Sequence, residues 1–368
     1  MKKVLRVLFI TNYPAPYRVD FFNLLGEQVK LTVAFTETPE EQKHRSEKWF
    51  NSNYSGFQAV FLHKKVSIGK LKVFKDIFQL LKSGFDYIVL GGYSSGTQVA
   101  AIEYMRVHKI PFTIEIDGGI IRSEAKSHYI IKKHLVSSAS AWLSSGRAAT
   151  SYLMHYGADP QKIIIYPLTS QNKRDMPGEN LQLLREKARK HLQIEEKYMV
   201  LSVGQMIRRK GFDVLLKSAT GLSNEIGVYI VGGDPSEEYL RLADKLCLEN
   251  VHFVGFKNKT ELAEYYCAAD LFVMPTREDI WGLVVGEAMS YGLPIISTDQ
   301  CMAALELVEN NVNGMIVPVE NPKALADAIE YVLNGDYTLM GQRSRQRIQE
   351  YTIENMVNAH MKFFQNAL

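Results

Sequence analysis

The chain has 368 residues, more than a single hydrophobic core organises, so two domains of ordinary size are expected. An apolar fraction of 46% with 23% charged residues is that of a soluble globular protein, and a net charge of +3 gives no basis for a dedicated nucleic-acid binder. Three cysteines, Cys247, Cys267 and Cys301, are odd in number and lack metal-ligand spacing; this argues against a disulfide framework and suits a reducing compartment.

The opening run to Ile10 is short, is interrupted by Arg6 and has no small-residue cleavage site, so it reads as a strand, not a secretion signal. No stretch of ~18 uncharged apolar residues occurs, and a cytoplasmic protein is expected. Val4 to Thr11 is the first buried strand, Asn12 to Pro16 a rigid loop at its carboxyl end, Tyr17 to Gly26 a helix with Val19, Phe22 and Leu25 inside, and Leu31 to Phe35 the second strand. Strand and helix alternating in this way predict a parallel, doubly wound sheet, whose ligands bind at strand carboxyl ends. Tyr13, Tyr17 and Arg18 stand at such an end; the alternative is that the loop is only a stiff turn.

Residues 37–56 read as a long polar loop. From Leu62 to Gly84, His63 and six lysines (64, 65, 70, 72, 75 and 82) interleave with Val66, Ile68, Leu71, Phe74, Phe78 and Leu81. The spacing from Leu71 to Leu81 predicts a helix with a basic flank, suited to an anionic membrane surface or, equally, to a core-facing helix with solvated lysines. A second basic segment runs from Lys126 through Lys132 and Lys133 to His134.

Phe85 to Gly96 is a strand entering a glycine loop, without the spacing of a dinucleotide or Walker loop. Pro111 to Gly119 is the next strand, and Asp117, before Gly118 and Gly119, either meets a substrate hydroxyl or caps the loop. Ser138 to Gly146, a helix from Ala148 to Tyr156 and the strand Ile163 to Pro167 complete the first half; the polar stretch from Leu168 to about Glu196 is the expected domain junction.

Tyr198 to Gly204 restarts the pattern, and Arg208, Arg209 and Lys210 precede Gly211 and a helix from Val214 to Ala219. Such a cluster suits a diphosphate, or is a solvated basic turn. Further strands are expected at 227–231, 251–256, 269–274, 295–298 and 314–318, with helices at 261–267, 283–291, 321–329 and 351–364. The helix from Leu283 is expected to bury Leu, Val, Ala and Met and to stop at Gly292 and Pro294. Asp279 in the preceding loop and Glu287 on the helix lie eight residues apart, two acceptor-only carboxylates able to grip paired hydroxyls; the bland alternative is favourable solvation near a helix start.

Asp279-x7-Glu287, followed by Ala-Met-x-x-Gly-Leu-Pro, resembles the signature of family 4 retaining glycosyltransferases. The family carries Glu-x7-Glu; here the first member is Asp, and Glu278 is an alternative. Lys210-Gly211 matches the family's Lys-Gly, while Gln205 replaces its arginine, leaving the second positive charge to Arg209. Asp117 stands where many relatives have histidine, and the family's glycine-rich loop is missing after the first strand. The resemblance implies the GT-B fold, with two facing Rossmann-like domains and an interdomain cleft. Residues 1–170 with a C-terminal helix at about 352–368 would bind the acceptor through Tyr13, Tyr17, Arg18, Gly118 and Gly119, and residues 171–351 the nucleotide sugar. It further implies catalytic roles for Lys210, Arg209, Asp279, Glu287 and Asp117, and a donor site made by Gly204, Gln205, Phe256, Glu278, Trp281, Gly282, Leu283 and Val284. The implied reaction moves a sugar from a nucleotide diphosphate, UDP by family habit, to a hydroxyl of a glycan or lipid-linked acceptor, with no metal or cofactor required. Peripheral contact with the inner membrane face fits the basic segments. Competing readings are a nucleotide-sugar epimerase or phosphorylase on the same fold, and a non-catalytic two-lobed sugar-binding protein.

Overall fold

A computed structural model describes residues 4–38, 53–68, 71–178 and 180–366. The chain divides into Met1–Ser170 with Thr352–Leu368, and Gln171–Tyr351. The first unit holds β1 (Arg6–Thr11), α1 (Pro16–Gly26), β2 (Lys30–Phe35), β3 (Gln58–Phe61), β4 (Lys65–Ile68), β5 (Leu71–Phe74), α2 (Ile77–Leu81), β6 (Tyr87–Gly91), α3 (Gly96–Val107), β7 (Thr113–Ile116), α4 (Lys126–Val136), β8 (Ala141–Ser144), α5 (Arg147–His155) and β9 (Ile163–Ile165). The second unit holds α6 (Leu181–His191), β10 (Tyr198–Val203), α7 (Phe212–Ala219), β11 (Ile226–Val231), α8 (Glu237–Lys245), β12 (Val251–Val254), α9 (Lys259–Ala268), β13 (Leu271–Met274), α10 (Leu283–Ser290), β14 (Ile295–Thr298), α11 (Met302–Leu307), β15 (Gly314–Val317), α12 (Pro322–Asn334) and α13 (Tyr337–Ile348). Last comes α14 (Ile353–Asn366), which belongs to the first unit.

Each unit has one parallel sheet, in the orders β3-β2-β1-β6-β7-β8-β9 and β12-β11-β10-β13-β14-β15. The order reverses between β1 and β6 and between β10 and β13, and such reversals are where doubly wound sheets open a crevice for ligands. Both sheets are buried on two faces, so their strands read as continuous apolar runs: β11 is buried at every position and β13 likewise.

Around the second sheet, Leu215, Leu216, Leu325, Ile329 and Val332 close one side over Val200, Val228 and Leu271. In the first, Ile102, Met105, Ile77 and Leu81 pack on Leu8, Ile88 and Leu90. Removing such side chains from water is worth about 1.5–3 kcal/mol each, which is why these apolar stripes decide where the helices lie. Two caps follow the sequence directly: Asn321 accepts from the Ala324 amide at 3.0 Å with Pro322 in the first turn, and Gly292 takes the left-handed conformation (φ 74°) after α10.

One expected helix is not there. Leu71–Phe74 is a strand paired antiparallel with Lys65–Ile68, placing Val66 opposite Val73, and only Ile77–Leu81 is helical. Alternation of β-branched Val66 and Val73 with lysines satisfies a hairpin as well as it satisfies helical spacing, and the Phe74 amide is held by Thr97 Oγ1 at 3.1 Å. Ile77 and Leu81 are buried and Phe74 and Phe78 pack on the same core, so these four side chains face inward. In the long loop, residues 39–52 lie outside the described residues, as does Lys70. Helix α10 buries Val285, Ala288 and Met289, while Leu283 and Val284 are only half-buried.

Candidate functional site

In the second unit the turn after β10 and the loop after β13 meet where the strand order reverses. Arg208–Lys210 form a 3-10 turn ending at Gly211, whose φ of 72° is left-handed; a Cβ there would lie 2.0 Å from the Pro275 carbonyl oxygen. That contact lets the two loops touch, and they are then laced together. The Arg277 amide donates to the Arg209 carbonyl at 2.8 Å, Arg209 Nη1 donates to the Glu278 carbonyl at 2.8 Å, and the Thr276 hydroxyl lies 3.0 Å from the Arg209 carbonyl. Backbone bonds from Asp279, Met302 and Ala303 to Gln300, Asp279 and Trp281, at 2.9, 3.1 and 2.8 Å, clamp the loop from its other side.

The cations converge on one carboxylate. Lys210 Nζ lies 2.6 Å and Arg209 Nη1 3.2 Å from Asp279 Oδ2. Lys210 and Asp279 are 12% and 13% exposed and Arg209 43%, so the first pair is largely withdrawn from water and the second sits at its mouth. Two cations against one anion leave a net positive charge at a helix entrance, since Gly282 caps α10 a few residues on. The Lys210 stem lies along Gly204, where a Cβ would sit 3.3 Å from its carbons.

Residues that sequence reasoning passed over hold the turn in place. Arg277 makes a two-bond fork with Asp213, at 2.7 and 2.8 Å, donates to the Arg208 carbonyl at 2.7 Å and pairs with Glu320. Burial pushes the Asp213 carboxyl up, but Arg277 outweighs it and the group is held below its ordinary range; Arg277 also holds Glu320 down. The signal available was an arginine beside the acidic loop and an aspartate three residues after Lys210.

Glu287 stands one turn into α10 and accepts from the Tyr266 hydroxyl at 3.0 Å. Tyr266 is buried and stacks on Tyr291, with ring centroids 5.3 Å apart. Trp281 is buried and Phe256, just past β12, is 40% exposed at the same edge of the sheet. Asp279 is thus joined to Lys210 and Arg209, and Glu287 to Tyr266.

In the first unit, Tyr17, Arg18 and Asp117 do come together. Asp117 accepts from the Tyr17 hydroxyl at 2.9 Å, from the Tyr166 hydroxyl at 3.0 Å and from Arg18. Arg18, expected to meet the acceptor, is 7% exposed and also pairs with Glu115, itself 1% exposed, so its guanidinium is engaged within the unit. Burial works against the Arg18 charge, but Asp117 and Glu115 outweigh it. Burial likewise favours neutral Glu115, yet Arg18 and then His360 pull its carboxyl down to about 2. Burial and Asp117 push the Tyr17 hydroxyl well above its ordinary value, leaving it a donor. Gly119 runs against the Tyr152 ring, where a Cβ would lie 2.4 Å away. Ala15 donates to the Tyr13 carbonyl at 2.9 Å, tightening the loop after β1. Glu115, Tyr166 and His360 were invisible as site residues in the sequence. Among the described residues no group of three or more His, Cys, Asp or Glu is placed to hold a metal ion.

Residues 185–355 match the family model described as glycosyl transferases group 1. The chain is 31% identical over 169 residues to an uncharacterized glycosyltransferase of Haemophilus influenzae, covering 44% of this chain and 47% of that one. It is 28% identical over 185 residues to the lipopolysaccharide glucosyltransferase WaaG of Escherichia coli, covering 49% of each. The chain thus spans about half the length of the curated relatives it matches. HepE of Anabaena, solved in complex with UDP, superimposes with a TM-score of 0.81 at 15% identity, over 99% of this chain and 100% of that one. The same protein in complex with UDP-glucose gives 0.76 at 14% identity, over 99% and 100%. A likeness over the whole chain at such low identity speaks for architecture, and the fold of this protein is GT-B.

Proposed function

We propose that this protein is a family 4 glycosyltransferase that moves a sugar from a nucleotide diphosphate, UDP by preference, to a hydroxyl of a glycan or lipid-linked acceptor in cell-surface polysaccharide synthesis, with retention at the anomeric carbon. The observation that carries this reading is the convergence of Lys210 and Arg209 on Asp279 at the strand-order reversal of the second sheet. The match of residues 185–355 to a glycosyltransferase family, the resemblance to WaaG and the nucleotide complexes of HepE support it.

The chemistry follows from charge. As the bond from the anomeric carbon to the diphosphate oxygen breaks, the sugar becomes oxocarbenium-like and the leaving group gains negative charge. Lys210 and Arg209 answer that charge together with the amides of Leu283 and Val284 at the start of α10. Asp279 holds Lys210 in register before donor binds and meets a donor-sugar hydroxyl after it, while Glu287 holds the ribose. Gly204, Gln205, Glu278, Trp281, Gly282 and Phe256 line the donor. Asp117, Tyr17 and Tyr13, with Gly118 and Gly119, receive the acceptor, whose hydroxyl attacks on the face the diphosphate leaves, so no enzyme nucleophile is needed. Cationic side chains supply the electrostatic stabilisation, so the reaction proceeds without a resident metal or cofactor.

Contact with an anionic membrane, on the inner face, falls to α4 under this reading. Ile130 and Ile131 are 55% and 56% exposed on it, Ile121 just before it is 47% exposed, and Lys126 and Lys133 flank them.

The test is to incubate the purified protein with UDP-sugars, with and without short glycan or polyprenyl-linked acceptors and with a chelator present, and to determine the anomeric configuration of any product. Acceptor-dependent product with retained configuration is expected. A changed sugar nucleotide without acceptor would make it an epimerase, and neither turnover nor thermal stabilisation by any nucleotide sugar would end the reading.

A further inference from the structure

Beneath the tip of β7 lies a buried charge cluster to which the chain's last helix contributes. His360 on α14 is fully buried. Its Nδ1 lies 2.8 Å from the Met356 carbonyl oxygen and its Nε2 3.2 Å from Glu115 Oε2. The carbonyl oxygen can only accept, so Nδ1 carries a proton. Glu115 is ion-paired with Arg18 through its other oxygen, and Arg18 with His360 holds its carboxyl low against its burial, which leaves Glu115 ionised and acceptor-only. Nε2 must then carry a proton as well.

With Glu115 ionised, the charge balance agrees. Arg18 alone faces two carboxylates, Glu115 and Asp117, and a second cation balances the four groups. The surroundings suit a cation: the Phe21 ring lies 4.7 Å and the Tyr166 ring 5.0 Å from the His360 ring, centroid to centroid, with Phe9 at 6.2 Å. The titratable or charged groups facing the ring are Glu115 from β7, Arg18 from α1 and Tyr166 following β9; burial keeps the last neutral.

We infer that His360 is a buried imidazolium and that, through Glu115 and Arg18, it positions Asp117 at the tip of β7. His360 tethers one Glu115 oxygen, so Arg18 meets the other with one end of its fork and presents the other end to Asp117. Without the imidazolium, Glu115 recruits both arms of Arg18 and Asp117 is left to the Tyr17 and Tyr166 hydroxyls. His360 is a positioning residue, not a catalytic one. Its kinetic consequence rests on the proposal that Asp117 meets the acceptor.

The experiment uses the full chain labelled with 15N-histidine and with 13C at aspartate carboxyls. Near neutral pH the His360 ring, assigned among nine histidines by its loss in His360→Gln, should show two protonated-type nitrogens. In Glu115→Gln it should show one protonated and one unprotonated nitrogen. In His360→Gln the Asp117 carboxyl resonance should shift, and acceptor kcat/KM should fall by between roughly tenfold and a hundredfold, as for a displaced substrate-positioning group, with donor KM within about twofold. Phe363→Leu, which loosens the contact of α14 with Tyr87, should lower Tm without moving the Asp117 resonance or that kinetic split. An unprotonated ring nitrogen in the wild-type protein, or an Asp117 resonance unmoved in folded His360→Gln, overturns the inference. If His360→Gln does not fold, the Asp117 resonance in Glu115→Gln decides in its place. A wild-type protein without turnover would sink the transferase reading while leaving both spectroscopic results standing.

Discussion

Lys210 Nζ sits 2.6 Å from Asp279 Oδ2, although 69 residues separate them in the chain. They follow β10 and β13, neighbours in the sheet between which the strand order reverses, so the topology itself brings them together. Under the proposed reaction, replacing Lys210 by Ala removes the more buried of the two cations that would face the departing diphosphate. Turnover should fall by roughly a hundredfold or more while the fold persists. Initial rates on donor and acceptor, with Tm alongside, check this; unchanged turnover would discard the assignment.

Arg277 grips Asp213 with both arms and also holds the Arg208 carbonyl, fixing the turn that carries Lys210. Lysine cannot reproduce the fork. Arg277→Lys should cost about 1–3 kcal/mol in denaturant unfolding and weaken UDP binding as seen by calorimetry. Intact UDP affinity would show that the turn holds its shape without the fork.

Gly211 permits the left-handed turn and the approach of Pro275 at once. Gly211→Ala should destabilise by about 1–3 kcal/mol from backbone strain, with the clash against the Pro275 carbonyl adding to it. Gly178→Ala, where nothing lies within 4 Å of the added carbon, serves as the neutral comparison. Equal urea midpoints for the two variants would contradict the geometry.

Folding lowers the Glu115 carboxyl from its ordinary 4.5 to about 2 because Arg18 and His360 outweigh its burial. A depressed carboxyl stabilises the folded state fully above its unfolded value and loses that contribution as pH falls. The loss should therefore run from about pH 4.5 down to about 2, and amount to about 3 kcal/mol. Urea unfolding across that range should be steeper for wild type than for Glu115→Gln, which lacks the titration; parallel curves would refute it.

For the membrane, Ile130→Glu combined with Ile131→Glu should weaken co-flotation with anionic vesicles roughly tenfold or more, with neutral vesicles binding neither form. Lys72→Glu on β5 should change little. The reverse pattern would return the contact to the hairpin.

Most of the architecture was legible because parallel strands buried on both faces leave continuous apolar runs, and because Gly211, Gly292 and Pro294 mark turns with a single physical meaning. Lys210 and Asp279 were legible because each follows a strand. The hairpin at residues 65–74 was not, since lysines alternating with apolar residues satisfy two periods at once. Nor was the burial of the Arg18 cluster legible. Glu115 looks like any strand residue and His360 like any helix residue, and nothing local in the sequence distinguishes a solvated charge from one paired 245 residues away.

Helix α14 is made after the whole of Gln171–Tyr351, yet its Phe364 carbonyl takes the Tyr87 hydroxyl at 2.6 Å and its His360 closes on Glu115. On the ribosome, then, the first-made unit waits incomplete while the second is synthesised, on the order of ten seconds or more at roughly 5–20 residues per second. During that interval Phe9 and Phe21 lack the His360 ring that packs on them, and Glu115 has Arg18 alone as its cation.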